Sequence, residues 1–187
     1  MTAWFVTHAE PLVDPARPIG SWGLSSVGRA RADAWRCPPG PVSASTERKA
    51  VETAERIAPG RPVTTSARLG EIDRSATGYL PPVEFEAVVT DFFDHPDEAV
   101  RGWERAVDAQ ERIVAAVREV TVGVGDTTIV SHGAVGALLL AALHGAPVSR
   151  RFLHPGMGSV FTFDPEAWRV TSGWRRLPLP PVAAATT

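Results

Sequence analysis

The sequence is short of the residues that staple, anchor or charge a chain. Among 187 residues there is one cysteine, Cys37, followed by Pro38 and Pro39, which excludes an internal disulfide framework and every zinc site built on several cysteines. A reducing compartment suits such a chain. Lysine is equally scarce: Lys49 is the only one, and arginine supplies the rest of the basic charge. No apolar run approaches the ~20 residues of a membrane-spanning helix. Met1 leads straight into a short β-like run with no basic leader, so a cytoplasmic location is expected. Charge of one sign is also missing, with 19 basic against 21 acidic residues and a formal net charge of −2. Nucleic acid and anionic membranes demand a strong basic excess, so neither is expected as a partner.

What is present fits one globular domain. Hydrophobic residues make up 44% and charged residues 21% of the chain, which is neither a disordered nor a membrane composition. We expect a single domain over residues 1–177 and a flexible tail over 178–187, where proline and alanine leave little to bury. Short apolar runs at Ala3–Thr7, Pro41–Ser45, Pro62–Ser66, Thr127–Ser131 and Ser159–Phe163 read as strands, with another over Arg169–Trp174. Helical patterns lie between them at Ser25–Trp35, Thr46–Ala58, Pro82–Phe93, Pro96–Val120 and Ala134–His144. In the longest, Val100, Trp103, Val107, Ile113, Val114 and Val117 recur near the helical period and predict the buried side. This alternation predicts an α/β fold: a three-layer α/β/α sandwich with a mainly parallel sheet, whose functional crevice lies beyond the carboxyl ends of the strands.

Two strands end alike, in Thr7-His8 and in Ser131-His132-Gly133. Each histidine would emerge at the carboxyl edge of the sheet. The glycine after His132 opens a helix, whose unpaired N–H groups and dipole favour an anion. Gly123-Val124-Gly125 lacks the third glycine and the setting of a dinucleotide fingerprint and reads as a turn. His95, His144 and His154 lack ligand spacing, so no metal site and no cofactor are expected.

Read in order, these residues resemble the histidine phosphatases, the phosphoglycerate mutase-like superfamily. That family opens with a strand ending Arg-His-Gly and a nearby Glu, and Thr7-His8-Ala9-Glu10 is similar. Its Leu-Thr/Ser-x-x-Gly-x-x-Gln/Arg-Ala resembles Leu24 to Ala32. Its Ser-Ser-Pro-Leu-x-Arg-Ala-x-x-Thr-Ala resembles Ala44 to Ala54, which sets Lys49 at the family's arginine. The later Leu-x-Glu and Val-Ser-His-Gly resemble Leu69-Gly70-Glu71 and Val130-Ser131-His132-Gly133. Singly these matches are weak; their order and spacing carry the resemblance.

The resemblance implies a phosphomonoesterase acting on a small phosphorylated metabolite through a phosphohistidine. His8 would be the nucleophile, His132 would hold phosphoryl oxygens with Gly133 beside it, and Glu71 would be the general acid and then the base. Residues 67–102 would form a partial lid. Thr7 and Lys49 stand where the family has arginines and would contact the substrate phosphate in their place, Thr7 with a hydroxyl and Lys49 with a point charge, so the pocket is short of fixed positive charge. A lost charged hydrogen bond is worth ~1.5–3 kcal/mol, or a roughly ten- to hundredfold slower reaction. Arg74, three residues past Glu71, is a candidate replacement cation. The alternative is a non-catalytic member that binds a phosphorylated or other anionic ligand.

Overall fold

The computed structural model describes residues 1–179, so most of the tail expected over 178–187 lies outside the described residues. The strands are β1 (Ala3–Thr7), β2 (Val42–Ser45), β3 (Val63–Ser66), β4 (Thr127–Ser131), β5 (Ser159–Asp164) and β6 (Arg169–Arg176). The helices are α1 (Ser26–Asp33), α2 (Arg48–Ile57), α3 (Pro82–Asp94), α4 (Ala106–Thr121) and α5 (Gly133–Leu143). The strands form one six-stranded sheet in the order β3-β2-β4-β1-β5-β6. The β3-β2, β2-β4 and β4-β1 pairs are parallel, while β5 runs antiparallel to both β1 and β6.

Alternation along the strands builds the three layers, because successive side chains point to opposite faces. Phe5 and Ile129 join the helices α3, α4 and α5 in one core, and Val6 and Val130 join α1 and α2 in the other. Local chemistry sets the helix ends. Ser25 caps α1 by accepting from the Gly28 N–H at 2.9 Å, and Pro82 stands in the first turn of α3, where its missing N–H costs nothing. Gly28 is also a place of close approach: a Cβ there would lie 2.1 Å from the Glu10 carbonyl oxygen, so α1 could not sit against the chain after β1.

The longest expected helix is shorter than its pattern. Residues 96–105 lie outside α4, because Arg101 (φ 55°) and Gly102 (φ 79°) are left-handed and break the helix. The break lets Trp103 leave the helical path and bury against Phe85 and Phe92, its indole N–H donating to Thr77 Oγ1 at 2.8 Å. The buried side of α4 is Ala106, Ala109, Ile113, Ala116 and Val117, while Val107 and Val114 are only half-buried. Residues 67–102 also divide. Glu71, Ile72, Asp73, Arg74, Ser75 and Gly78 border the main cavity, whereas α3 buries Val88, Val89, Phe92 and Phe93 in the core.

Candidate active site

Parallel pairing of β1 with β4 sets Thr7 opposite Ser131, and the His8 N–H continues the ladder to the Ser131 carbonyl at 2.8 Å. The residues that follow are therefore side by side at the carboxyl edge. The rings of His8 and His132 lie 5.1 Å apart, centroid to centroid, at 65°. They border a cavity of about 410 Å³ together with Glu47, Lys49, Glu71 and Arg74.

Each imidazole is fixed by its neighbours. His8 Nδ1 lies 2.8 Å from the Ala9 carbonyl oxygen, which can only accept, so the proton sits on Nδ1 and the Nε2 lone pair is free. Burial first, and then the Lys49 ammonium, hold the His8 pKa down at about 3 against an ordinary 6.5, so the ring is a neutral base at physiological pH. His132 is fully buried, and its pKa too is pushed well below the ordinary value, by burial first and then by His8 and Lys49. Its Nε2 lies 2.8 Å from Ser45 Oγ and 3.2 Å from Glu47 Oε1. Since the ring is neutral, the second contact is a hydrogen bond rather than an ion pair.

Glu71 sits at the start of α5. Its carboxyl oxygens accept from the N–H groups of Ala134 and Val135, each at 3.2 Å. These donors and the Arg74 charge favour the ionised form, but burial outweighs them and, helped by Glu47, raises the Glu71 pKa above the ordinary carboxyl range. The anion-favouring helix start anticipated after His132 thus holds a side chain of the protein itself.

The loop that carries Glu71 is clamped from α4. Arg112 donates to the carbonyl oxygens of Arg68, Gly70 and Glu71 at 2.9, 3.0 and 3.2 Å, and its fork grips both carboxylate oxygens of Glu104 at 2.9 and 2.7 Å. Glu104 in turn accepts from the Asp73 N–H at 3.0 Å and donates its own N–H to the Asp73 carbonyl at 2.8 Å. Removing one partner strands all the others. We expect Arg112→Ala to cost about 2–4 kcal/mol in denaturant unfolding; a loss below about 0.5 kcal/mol would show that the clamp is not structural.

The other residues singled out in the sequence are placed as follows. Lys49, buried on α2, donates to the Ile19 carbonyl at 3.2 Å and pairs with Glu47. Arg74 is in the cavity wall with its guanidinium 5.0 Å from the centre of the Phe85 ring. Thr7 and Gly133 do not border the cavity. The Thr7 hydroxyl accepts from the Ser159 N–H at 3.0 Å and so fastens β1 to β5, which differs from the substrate contact expected of it. At Gly133 a Cβ would lie 2.3 Å from His154 Nε2, so what that position needs is room. Glu47 was not anticipated. The available signal was an acidic residue two places before the only lysine, where the family motif carries leucine. Among the described residues, no group of three or more His, Cys, Asp or Glu side chains is arranged to hold a metal, and no helix is long and apolar enough to cross a membrane.

The buried imidazoles make stability fall in acid. The pKa of His8 is about 3 folded and 6.5 in its ordinary state, so between those values the unfolded chain binds the extra proton. The stability that neutral His8 contributes is therefore complete above about pH 6.5 and declines down to about pH 3, at up to ~1.4 kcal/mol per pH unit for each such histidine. His132 and His154, both lowered by burial, add in the same direction. Glu71 makes an opposite but single contribution, since its raised pKa favours the folded state in acid. The melting temperature should drop steeply from pH 6.5 to 4; a flat profile there would contradict neutral burial of these rings.

Residues 18–173 match the model of the histidine phosphatase superfamily, branch 1. The match begins ten residues past His8, whose Thr-His-Ala setting is unlike the family's usual Arg-His-Gly. No curated protein matches the sequence. Among solved structures, the chain resembles a mycobacterial glucosyl-3-phosphoglycerate phosphatase solved with inorganic phosphate, at 22% identity and a TM-score of 0.73, over 93% of this chain and 94% of that one. It also resembles YhfR from Bacillus stearothermophilus, at 26% identity and a TM-score of 0.73, over 91% and 94% of the two chains.

Proposed function

The chain belongs to branch 1 of the histidine phosphatase superfamily, and on that premise we propose that it is a phosphomonoesterase that passes the phosphoryl group through His8. The observation that carries this reading is the Nε2 lone pair of His8, left free by the Nδ1–Ala9 bond and facing a cavity shared with His132 and Glu71. A neutral, oriented imidazole is ready to attack phosphorus without first losing a proton.

His8 Nε2 forms a bond to phosphorus as the bond from phosphorus to the alcohol oxygen breaks, and the Glu71 carboxyl gives its proton to the departing oxygen. The raised Glu71 pKa keeps that proton available, which a general acid requires. Glu71, now a carboxylate, takes a proton from water; the water oxygen bonds to phosphorus, the N–P bond breaks, and inorganic phosphate leaves. Charge on the phosphoryl oxygens in flight falls to Lys49, Arg74 and an N–H of His132. The cavity volume suits a small phosphorylated metabolite, with residues 71–78 as its partial cover. A cytoplasmic setting, without nucleic acid or membrane partners, belongs to the same reading.

The features that favour the second reading, a non-catalytic anion binder, are Thr7 and Lys49 at the family's arginine positions, which leave fewer forked donors for a phosphoryl group in flight. Release of inorganic phosphate from a panel of small phosphate esters separates the two. Turnover by the wild-type chain, lost when His8 is replaced, supports the enzyme. Ligand binding to the same esters without turnover supports the binder.

A further inference from the structure

Glu47 stands where the motif that the chain otherwise follows has leucine, and it puts a carboxylate among the groups that would hold a phosphoryl group. Its Oε2 pairs with Lys49, while Oε1 lies 3.2 Å from His132 Nε2 and accepts from the Glu71 N–H at 3.4 Å. A neutral imidazole that faces a carboxylate carries its proton on that nitrogen, since two lone pairs would otherwise oppose each other. The His132 nitrogen, shared with Ser45 Oγ, and the Lys49 ammonium, which also donates to the Ile19 carbonyl, thus both face the Glu47 carboxylate.

We propose that Glu47 is an internal competitor for the substrate phosphate: its carboxylate occupies the donors that the phosphoryl oxygens need, and only a ligand that displaces it gains the site. This rests on the phosphatase reading in assigning those donors to phosphate. The Lys49 side chain is only 5% exposed, and a charge so buried needs a partner, which Glu47 provides. A phosphate placed beside Glu47 while it remains there would meet a like charge at close range. Binding is thus an exchange of carboxylate for phosphate on Lys49 and His132.

The exchange sets a threshold for binding. A bare oxyanion brings nothing to offset the lost Glu47 contacts, so inorganic phosphate and minimal aryl phosphates bind weakly. A phosphomonoester whose alcohol portion also contacts the wall formed by Ile19, Gly20, Asp73 and Ser75 draws on those contacts to move the carboxylate. Glu47 accordingly lowers the affinity of every phosphate ester alike, so that at low concentration only those whose alcohol portion adds contacts to the cavity wall occupy the site.

Titration calorimetry with orthovanadate and inorganic phosphate on the full chain tests this. Glu47→Gln removes the charge at constant shape, and Glu47→Leu restores the residue of the family motif. Both are expected to bind the anions at least tenfold more tightly than the wild type, and the double variant Glu47→Leu/Lys49→Ala to lose that gain. Glu47→Leu leaves Lys49 buried without its carboxylate, so its melting temperature should fall and recover with vanadate; should it fail to fold, Glu47→Gln decides. Unchanged or weaker anion affinity in folded Glu47→Gln overturns the proposal, as does absence of anion binding in every variant. Tighter anion binding without hydrolysis by any variant would sustain the competitor and sink the phosphatase; hydrolysis by the wild type with unchanged affinity in Glu47→Gln would do the reverse.

Discussion

Replacement of His8 by alanine is expected to lower turnover of phosphate esters by roughly 10⁴-fold or more, the scale set by losing a covalent nucleophile. The reason is specific to this site. The only cavity-facing imidazole nitrogen with a fixed lone pair and no hydrogen-bond partner among the described residues is His8 Nε2, since His132 Nε2 is engaged by Ser45 and Glu47 and His132 Nδ1 is buried. His132 therefore cannot take over. The fold should survive, because His8 is neutral and its one side-chain hydrogen bond is to the adjacent residue. Unfolding curves would verify that, and a folded His8→Ala protein retaining more than a few per cent of wild-type turnover would remove His8 from the mechanism.

Glu71→Gln should have the next largest effect, and one that depends on the substrate. Glutamine keeps the shape, and its one carbonyl oxygen can still accept from Ala134 or Val135, which now donate to different oxygens, but it has no acidic proton to give. For esters of ordinary alcohols, whose oxygen leaves badly without a proton, kcat should fall by roughly 10²–10⁴. For nitrophenyl phosphate, whose leaving oxygen hardly needs a proton, formation of the phosphoenzyme should fall far less. Equal losses for both classes would argue against Glu71 as the proton donor. A pH profile adds a check: with its pKa raised by burial, the Glu71 carboxyl stays protonated above the ordinary range, and its loss of a proton as pH rises should set the upper limb of the poor-leaving-group reaction.

These expectations rest on features that the sequence displays unevenly. The layers were readable because Phe5 and Val6, or Ile129 and Val130, alternate between two cores, and because helical patterns separate the strands. The meeting of His8 and His132 was readable from two strands that end in the same way, since parallel neighbours deliver their ends to one edge. The start of α4 was not: an apolar period runs on through Val100 and Trp103, and nothing in it announces the left-handed pair Arg101 and Gly102 that redirects the chain. Glu47 was hidden for a different reason. An acidic residue just before a helix ordinarily complements the helix dipole, and only the tertiary arrangement turns this one toward Lys49 and His132. The Arg112 clamp joins groups more than forty residues apart, and spacing carries no trace of it.

The phosphoryl group is expected to rest on His8 between two displacements. Rapid acid-free quenching of the protein with a phosphate ester, followed by peptide mass spectrometry, reads this directly. The expected product is a phosphoprotein that is labile in acid and stable in base, with the phosphoryl group on His8, formed by Glu71→Gln from a nitrophenyl ester and absent from His8→Ala. Turnover that releases phosphate with no phosphorylated histidine at any time, or with the label on another residue, would contradict it.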